Sequence, residues 1–567
     1  MAIAGYLLSR QPMVDDGTGS VIIYNGEVYN YKLIKNELLE CGFSFNSQSD
    51  TEVILKAYRK WGKSCVKKFI GMFSFAVWDN IEKGIFVARD RVGIKPLYYY
   101  DSERIFMFAS RLSALKLHPL CPSEIDPDSL GLYLDMGFVP APNSIFRGIK
   151  KLRPGYTLWI DEKGVSEECY WSIDGVNLDY SLLREDENVV ISRLDDLLND
   201  SIKLRMISDV PLGAFLSGGV DSSLIAALMC RYSSQPPKTF SIGFKEKKYD
   251  ELGYARNIAG YLGTDHHEMI MQSSDFLDLL DANTNFYDEP LADYSNIPTM
   301  MVSKFARENV KVALSGDGGD ELFAGYHPYF ILFYSGWLYN LPRSLRIICG
   351  KLFAKISSRK FKVIGQSLCQ YDALKSFAFM RSLCADFDRE SIFSEGGTNI
   401  EDLFEIRSKV FPPVDIVSKF SRLDAAYYLP DDILQKVDVA SMSVSLEARV
   451  PILDHHIVEF ALSLPLRYKL RVGSSKWILK KVLAKYLPPK YFQRPKRGFV
   501  APVGEWFRGE LKVMIKDELS PSRIKKIGYL NPKGVEDLVD AHLNNKINAE
   551  QILWSIVSLS RWKGRFG

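Results

Sequence analysis

Three serines and one aspartate gather around two adjacent glycines in Ser217-Gly218-Gly219-Val220-Asp221-Ser222-Ser223. The apolar pair Phe215-Leu216 precedes this run, and the apolar Leu224-Ile225-Ala226-Ala227-Leu228-Met229 follows it. It therefore reads as the turn between a strand and a helix. A turn of this kind suits an anion. Glycines let backbone N–H groups approach a phosphate closely, serine hydroxyls add donors, and the helix N-terminus turns its partial positive charge toward the same point. Asp221 belongs beside phosphate only if Mg²⁺ lies between them. The plainer reading is a Ser/Gly turn that caps a helix; the strand–turn–helix setting favours the anion site. Two other nucleotide patterns fail. Gly62-Lys63-Ser64 has Ala57 where a Walker A loop needs its first glycine, and Gly316-Asp317-Gly318-Gly319-Asp320-Glu321 lacks the last glycine of a dinucleotide fingerprint.

The elements that must position this turn follow from periodicity. Apolar spacing predicts helices over 189–205, 224–230 and 251–262, alternating with strands over 214–216, 239–244 and 310–314. That alternation implies a parallel sheet with crossover helices. Upstream, apolar runs at 21–24, 72–78, 84–88 and 97–100 are separated by turn residues, with helices predicted over 32–41 and 51–61. This is the texture of an α+β domain with antiparallel sheet. The polar stretch Leu183-Arg184-Glu185-Asp186-Glu187-Asn188 divides the two, giving domains 1–180 and 189–567. A chain of 567 residues is too long for one core. Beyond about residue 330 the pattern is mostly helical. The apolar stretch 329–353 is interrupted by Pro342, Arg343 and Arg346, which argues for a buried, aromatic-rich helix pair rather than a membrane span.

Composition narrows the class. With 72 Lys+Arg against 69 Asp+Glu, the formal charge is +3, so bulk charge invokes neither nucleic acid nor an anionic membrane. The eight cysteines form no CxxC pair, and they read as reduced thiols of a cytoplasmic protein. His266-His267 and His455-His456 lack zinc-ligand spacing. The start Met1-Ala2-Ile3-Ala4-Gly5 has no basic region of the secretory kind.

The glycine turn resembles the PP-loop of the ATP pyrophosphatase superfamily, and an ordered set of further segments is similar to the asparagine synthetase family. They are Thr239-Phe240-Ser241-Ile242-Gly243-Phe244, Asp288-Glu289-Pro290, Leu314-Ser315-Gly316-Asp317-Gly318-Gly319-Asp320-Glu321, Lys436-Val437-Asp438, Leu446-Glu447-Ala448-Arg449-Val450-Pro451 and Arg494-Pro495-Lys496-Arg497-Gly498-Phe499. The resemblance implies ATP and Mg²⁺ as cofactors. It places Leu216, Ser217, Gly218, Gly219, Asp221, Ser222, Ser223, Ile242, Ser315 and Gly316 around ATP, and Asp221 and Asp320 on Mg²⁺. Lys496 would sit against the phosphates, and Asp317 would be the base on incoming ammonia. Asp320 has a plainer reading, as cap of a helix starting at Glu321. Asp438, Glu447 and Arg449 stand equally as substrate contacts or as a buried ion pair. The implied reaction adenylates the aspartate side-chain carboxylate and amidates it to asparagine. A sugar acid, a β-lactam ring closure and an inactive scaffold are the rival readings. Small-molecule substrates, no nucleic acid, no membrane and a possible homodimer complete the expectation.

The first domain is similar to the same family's glutaminase, an N-terminal-nucleophile hydrolase fold. The likeness runs through Tyr24-Asn25-Gly26-Glu27-Val28-Tyr29, Ser49-Asp50-Thr51-Glu52 and Ala88-Arg89-Asp90-Arg91-Val92-Gly93. It implies an oxyanion hole at Asn25 and Gly26 and glutamine contacts at Glu27 and Asp50. That chemistry needs Cys directly after Met1, where this chain has Ala2. The expectation is an incomplete glutaminase domain followed by an α/β PP-loop domain with a helical C-terminal part. Three accounts fit Ala2: a start site placed differently from the natural one, a truncated gene, or use of free ammonia.

Overall fold

The computed structural model describes residues 10–566, apart from 357, 358, 386, 388, 394–396, 494–497, 499 and 500; at 359 and 360 it describes the backbone only. Lys496, expected at the phosphates, thus lies outside the described residues.

The N-terminal part is built on antiparallel sheet. Strands β1 (Met13–Val14), β2 (Val21–Val28), β3 (Gly71–Asp79), β4 (Gly84–Arg89), β8 (Tyr156–Asp161) and β9 (Gly164–Cys169) lie in the order β1-β2-β3-β4-β8-β9. A second sheet holds β5 (Tyr98–Asp101), β6 (Phe106–Ala109) and β7 (Ile149–Lys151), in the order β6-β5-β7. Helices α1 (Tyr31–Glu40) and α2 (Asp50–Trp61) pack Ile34, Leu38, Val53 and Ile54 onto Phe73, Phe75 and Phe86 of the larger sheet. Helix α2 starts where the Ser49 hydroxyl accepts the Thr51 N–H at 3.1 Å, with Asp50 and Glu52 in its first turn and Arg59 and Lys60 in its last. Both features are the ones that favour a helix with that polarity.

Beyond α3 (Glu187–Arg205) a parallel sheet forms from β10 (Leu212–Phe215), β11 (Lys238–Phe244), β12 (Asp265–Met271), β13 (Val312–Leu314) and β14 (Glu447–Arg449). Its order is β12-β11-β10-β13-β14, all neighbours parallel. Helices α4 (Val220–Tyr232), α5 (Leu252–Leu262) and α6 (Asn296–Arg307) make the crossovers. The strand order reverses at β10, so chain leaves β10 for β11 on one side while β13 takes its place on the other. That reversal opens a crevice at the C-terminal ends of β10 and β13. Two of the five strands carry no sequence signal: β12 opens on Asp265-His266-His267-Glu268, and β14 is a three-residue run containing an ion pair.

Helix α7 (Gln435–Met442) precedes β14, and α8 (Trp477–Leu483) follows it. Ahead of α7 the chain winds as a π-helix over Asp424–Leu434 with Pro430 inside it. The expected buried helix pair at 329–353 is corrected. The helix His327–Ser335 does bury Tyr329, Ile331 and Leu332, but in the helix Arg343–Ala354 only Arg346 and Gly350 are buried. Arg346 turns inward because its guanidinium donates to the carbonyls of Leu368 (3.1 Å) and Gln370 (2.9 Å), which leaves the apolar stripe outside. No described helix is long and apolar enough to cross a membrane.

The two parts share buried apolar packing, with Tyr133 and Phe146 in one cluster with Phe240 and Trp562 and Val92 and Ile94 in another with Leu216 and Leu453, and they also meet through charged and polar contacts. Lys95 reaches Asp438 at 2.6 Å, Lys151 reaches Glu289 at 2.7 Å, and Ala141 N–H donates to Asp431 at 2.7 Å.

Candidate active site

The glycine turn sits where β10 ends and α4 begins, with Gly219 as the residue before the helix. Within it the Ser217 and Ser222 hydroxyls lie 3.0 Å apart, Gly219 N–H donates to the Ser217 hydroxyl at 3.3 Å, and the Ser223 hydroxyl donates to the Gly219 carbonyl. Asp221 falls in the first turn of α4, beside the positive end of that helix.

A second glycine loop after β13 presses against the first. A Cβ on Gly316 would stand 2.8 Å from Ser222 N, and one on Gly319 would stand 2.4 Å from Asp221 Oδ1. Only glycine admits this approach, which is what sets Asp320 beside Asp221. The short helix Gly319–Leu322 has Gly318 before it, so Asp320 lies inside its first turn and is not its cap.

Both carboxylates converge on one cation. Lys476 Nζ pairs with Asp221 and, at 2.7 Å, with Asp320 Oδ1. Burial alone would lower this ammonium's pKa, but the two carboxylates outweigh burial and hold it well above the ordinary lysine value. Lys476 has φ of 50°, a left-handed conformation that L-residues adopt at a cost. Sequence reasoning passed over this residue: a lysine between Ser475 and Trp477 looks like any helix-leading surface charge.

These groups line a cavity of about 610 Å³. Leu216, Ser217, Gly218, Gly219, Asp221, Ser222, Ile242, Ser315, Gly316, Asp317 and Asp320 all face it, so the structure brings these expected residues together. Ser223 stands behind them, fully buried. Asp317 accepts the Ser315 hydroxyl at 2.6 Å; burial, partly opposed by Ser315 and Lys436, raises its pKa. A carboxylate raised in this way is better matched to taking a proton near neutrality than a free one.

The cavity continues past Asp317 to a patch missed in the sequence. Lys436 reaches Asp293 at 2.7 Å, and Asp432 and Glu321 complete the wall. Asp432 is 5% exposed, and its Oδ1 has no hydrogen-bond partner among the described residues. Burial and the charge of Asp293 push its pKa well above the carboxylate range. An acid held there gains strongly from an arriving cation. Asp431 and Asp432 read alike in sequence, and their successive positions on the wound segment send the first to Ala141 and the second into the cavity.

Asp438, Glu447 and Arg449 do not line the cavity, which corrects the substrate-contact reading. Asp438 pairs with Lys95. Arg449 is fully buried, 2.7 Å from Glu447, and donates to the carbonyls of Arg205 and Ile207, each at 2.7 Å. Its remaining reach is toward Glu27 of the first domain, at 4.0 Å. In that domain Asp50 accepts the Tyr24 hydroxyl at 2.8 Å and Val28 N–H at 3.0 Å, while Asn25 donates to Ser110 at 3.3 Å. Gly26 holds a φ of 146° against the β3 backbone. Burial pushes Asp50 up to about 6, and burial with Asp50 pushes Glu27 up as well.

The family model described as asparagine synthase matches residues 193–564, and that of a glutamine amidotransferase domain matches residues 1–171. The chain is 30% identical to the glutamine-hydrolysing asparagine synthetase 1 of Bacillus subtilis, across 97% of this chain and 86% of that protein. It is 31% identical to a putative glutamine-hydrolysing asparagine synthetase of Mycobacterium tuberculosis, across 96% of this chain and 84% of that protein. A putative asparagine synthetase 2 of Methanocaldococcus jannaschii is 40% identical over 60% of this chain and 65% of its own length.

Proposed function

Because the chain belongs to the asparagine synthetase family of carbon–nitrogen ligases, we propose that it adenylates the side-chain carboxylate of aspartate with ATP and displaces AMP with ammonia. The observation that carries this reading is the single cavity joining the glycine turn, Asp317 and the orphaned Asp432. ATP lies along Leu216, Ile242, Ser315 and Gly316, with its phosphates on the backbone and hydroxyls of Ser217, Gly218, Gly219 and Ser222. Asp221 and Asp320 fit Mg²⁺, since both converge here on one cationic nitrogen, and held between them it would neutralise charge on departing pyrophosphate. Lys476 stabilises the charge that spreads over the phosphates as the carboxylate oxygen attacks the α-phosphorus. Asp317 takes a proton from ammonia as it adds to the acyl carbon, and AMP leaves.

Aspartate is favoured over a sugar acid by the far wall of the cavity. Asp432 suits the α-ammonium and Lys436 the α-carboxylate. A sugar acid offers no cation to the buried Asp432, which would then stay both desolvated and unpaired. Pyrophosphate release with ammonium chloride and one acid at a time tests this. Aspartate should drive release, and succinate, which is aspartate without its amine, should not. Release with succinate at the aspartate rate, or silence with every acid, defeats the reading. Asp432→Asn should raise KM for aspartate about tenfold, the scale of one charge-assisted hydrogen bond, with KM for ATP unchanged.

Ammonia is the proposed nucleophile at the acyl-adenylate, supplied free or released from glutamine by the first domain, whose residues 1–171 match the amidotransferase model. Incubating the chain with glutamine alone and measuring glutamate separates the two sources. Glutamate formation at a rate comparable to amide synthesis assigns the supply to the first domain, its absence assigns it to free ammonia, and the ligase reading stands in both cases.

A further inference from the structure

We propose that the helical pair formed by residues 336–356 and 361–371 is a docking surface for anionic lipid membranes. Its sequence is segregated in charge. No Asp or Glu occurs between Leu322 and Tyr371, while Arg343, Arg346, Lys351, Lys355, Arg359, Lys360 and Lys362 do, all but the inward-turned Arg346 adding to the local charge, in a chain whose acids and bases are otherwise nearly balanced. The bulk charge of +3 hides this local excess.

The apolar side chains on the same helical pair face outward. In the helix Arg343–Ala354, Leu345, Ile348 and Leu352 follow helical spacing and are 51%, 55% and 62% exposed. Trp337, Ile356, Phe361 and Tyr371 are exposed alongside them. A protein surface rarely shows so contiguous an apolar set unless something covers it. Lys351 and Lys355 are exposed and stand three residues after Ile348 and Leu352 respectively, flanking the stripe. The pair is firm enough to present this face. Gly350 and Gly365 let the two helices touch, since a Cβ on either would meet the other's carbonyl oxygen within 2.7 Å, and the rings of Phe353 and Phe361 stack at 5.8 Å.

An apolar stripe with aromatic residues, flanked by lysine and free of acids, combines the two signals that interfacial helices need: acyl-chain burial and attraction to anionic headgroups. A nucleic acid would use the lysines but leave Leu345, Ile348 and Leu352 in water. A second copy of this surface would bring like charges together. Both alternatives fit less well than a bilayer.

Co-sedimentation of the full chain with vesicles tests the proposal. Phosphatidylcholine vesicles containing phosphatidylglycerol should pellet the protein at low salt; phosphatidylcholine alone should not. Lys351→Glu/Lys355→Glu should weaken binding roughly thirtyfold or more, on the scale of about fivefold per basic residue at such a surface. Leu345→Ser/Leu352→Ser should weaken it even where the charge is intact. Neither pair touches the ATP cavity, so unchanged pyrophosphate release in both variants verifies the fold. Absence of binding to anionic vesicles overturns the proposal, as does binding that survives both pairs. So does a dimer of the free protein that both pairs dissolve, which would give the face to a second copy. Tight binding to RNA that ignores Leu345→Ser/Leu352→Ser, with no vesicle binding, overturns it as well.

Discussion

Asp221→Asn should lower aspartate-dependent pyrophosphate release by about 10²–10³-fold or more, the scale seen when one preorganised electrostatic partner of a transition state is lost. The exchange keeps the size of the side chain, so the tight approach of Gly316 and Gly319 to this residue survives. What it removes is half of the paired negative charge that Lys476 bridges. The variant should keep its far-UV circular dichroism and its melting profile, because Lys476 retains Asp320. Lys476→Ala should fall as far, and the double variant should fall little further, because residues acting on one charge are not additive. Lys476→Arg should not rescue activity. A planar guanidinium cannot replace a compact ammonium gripped by two carboxylates from a left-handed backbone position. A single variant turning over within about threefold of the parent, against the 10²–10³-fold expected, would remove Asp221 from the reaction.

Arg449→Ala should act on stability instead. Taking one partner out of a buried charge cluster costs about 3–5 kcal/mol, because the charges left behind have neither water nor a partner. Here those are Glu447, at 2.7 Å, and Glu27, at 4.0 Å across the domain boundary, and two backbone carbonyls lose their donor as well. Denaturant midpoints should drop accordingly. The deficit should shrink at low pH. Glu27 is already raised by burial and by Asp50, so the folded state holds protons that the unfolded chain has released. Stability from this group therefore falls as pH rises above the ordinary glutamate range, and deleting Arg449 raises Glu27 further and steepens that fall. A deficit that is constant from about pH 5 to pH 8, a span above the ordinary glutamate value, would show that Arg449 acts through packing alone.

The contrast between these two residues shows what a sequence carries and what it does not. The glycine turn is legible because glycine is needed for a reason that residue type records: no other residue fits where Gly316 meets Ser222. The alternation that predicts β10, β11 and β13 is legible for a similar reason, since buried parallel strands are apolar throughout. Arg449 shares a run with catalytic-looking neighbours, yet its role depends on β14 lying beside β13, a pairing fixed by tertiary contacts. Lys476 and Asp432 were equally hidden. A lysine or an aspartate is usually a surface residue, and nothing local marks the ones that turn inward. The helix Arg343–Ala354 misled in the opposite direction, because an apolar stripe records that something is covered but not by what.

The wide winding of Asp424–Leu434 makes this segment sensitive to length in a way that most of the chain is not. A surface loop absorbs a lost residue by tightening. Here a lost residue would rotate everything downstream by about 100°, the turn per residue of a helix. Lys436 would swing off Asp293 and Asp438 off Lys95, and Asp432 would exchange sides with its neighbour. Single-residue deletions between 424 and 434 should therefore be purged even where many substitutions are tolerated. Gaps in this stretch among related chains would mark those whose acid-binding pocket has been rebuilt for a different substrate.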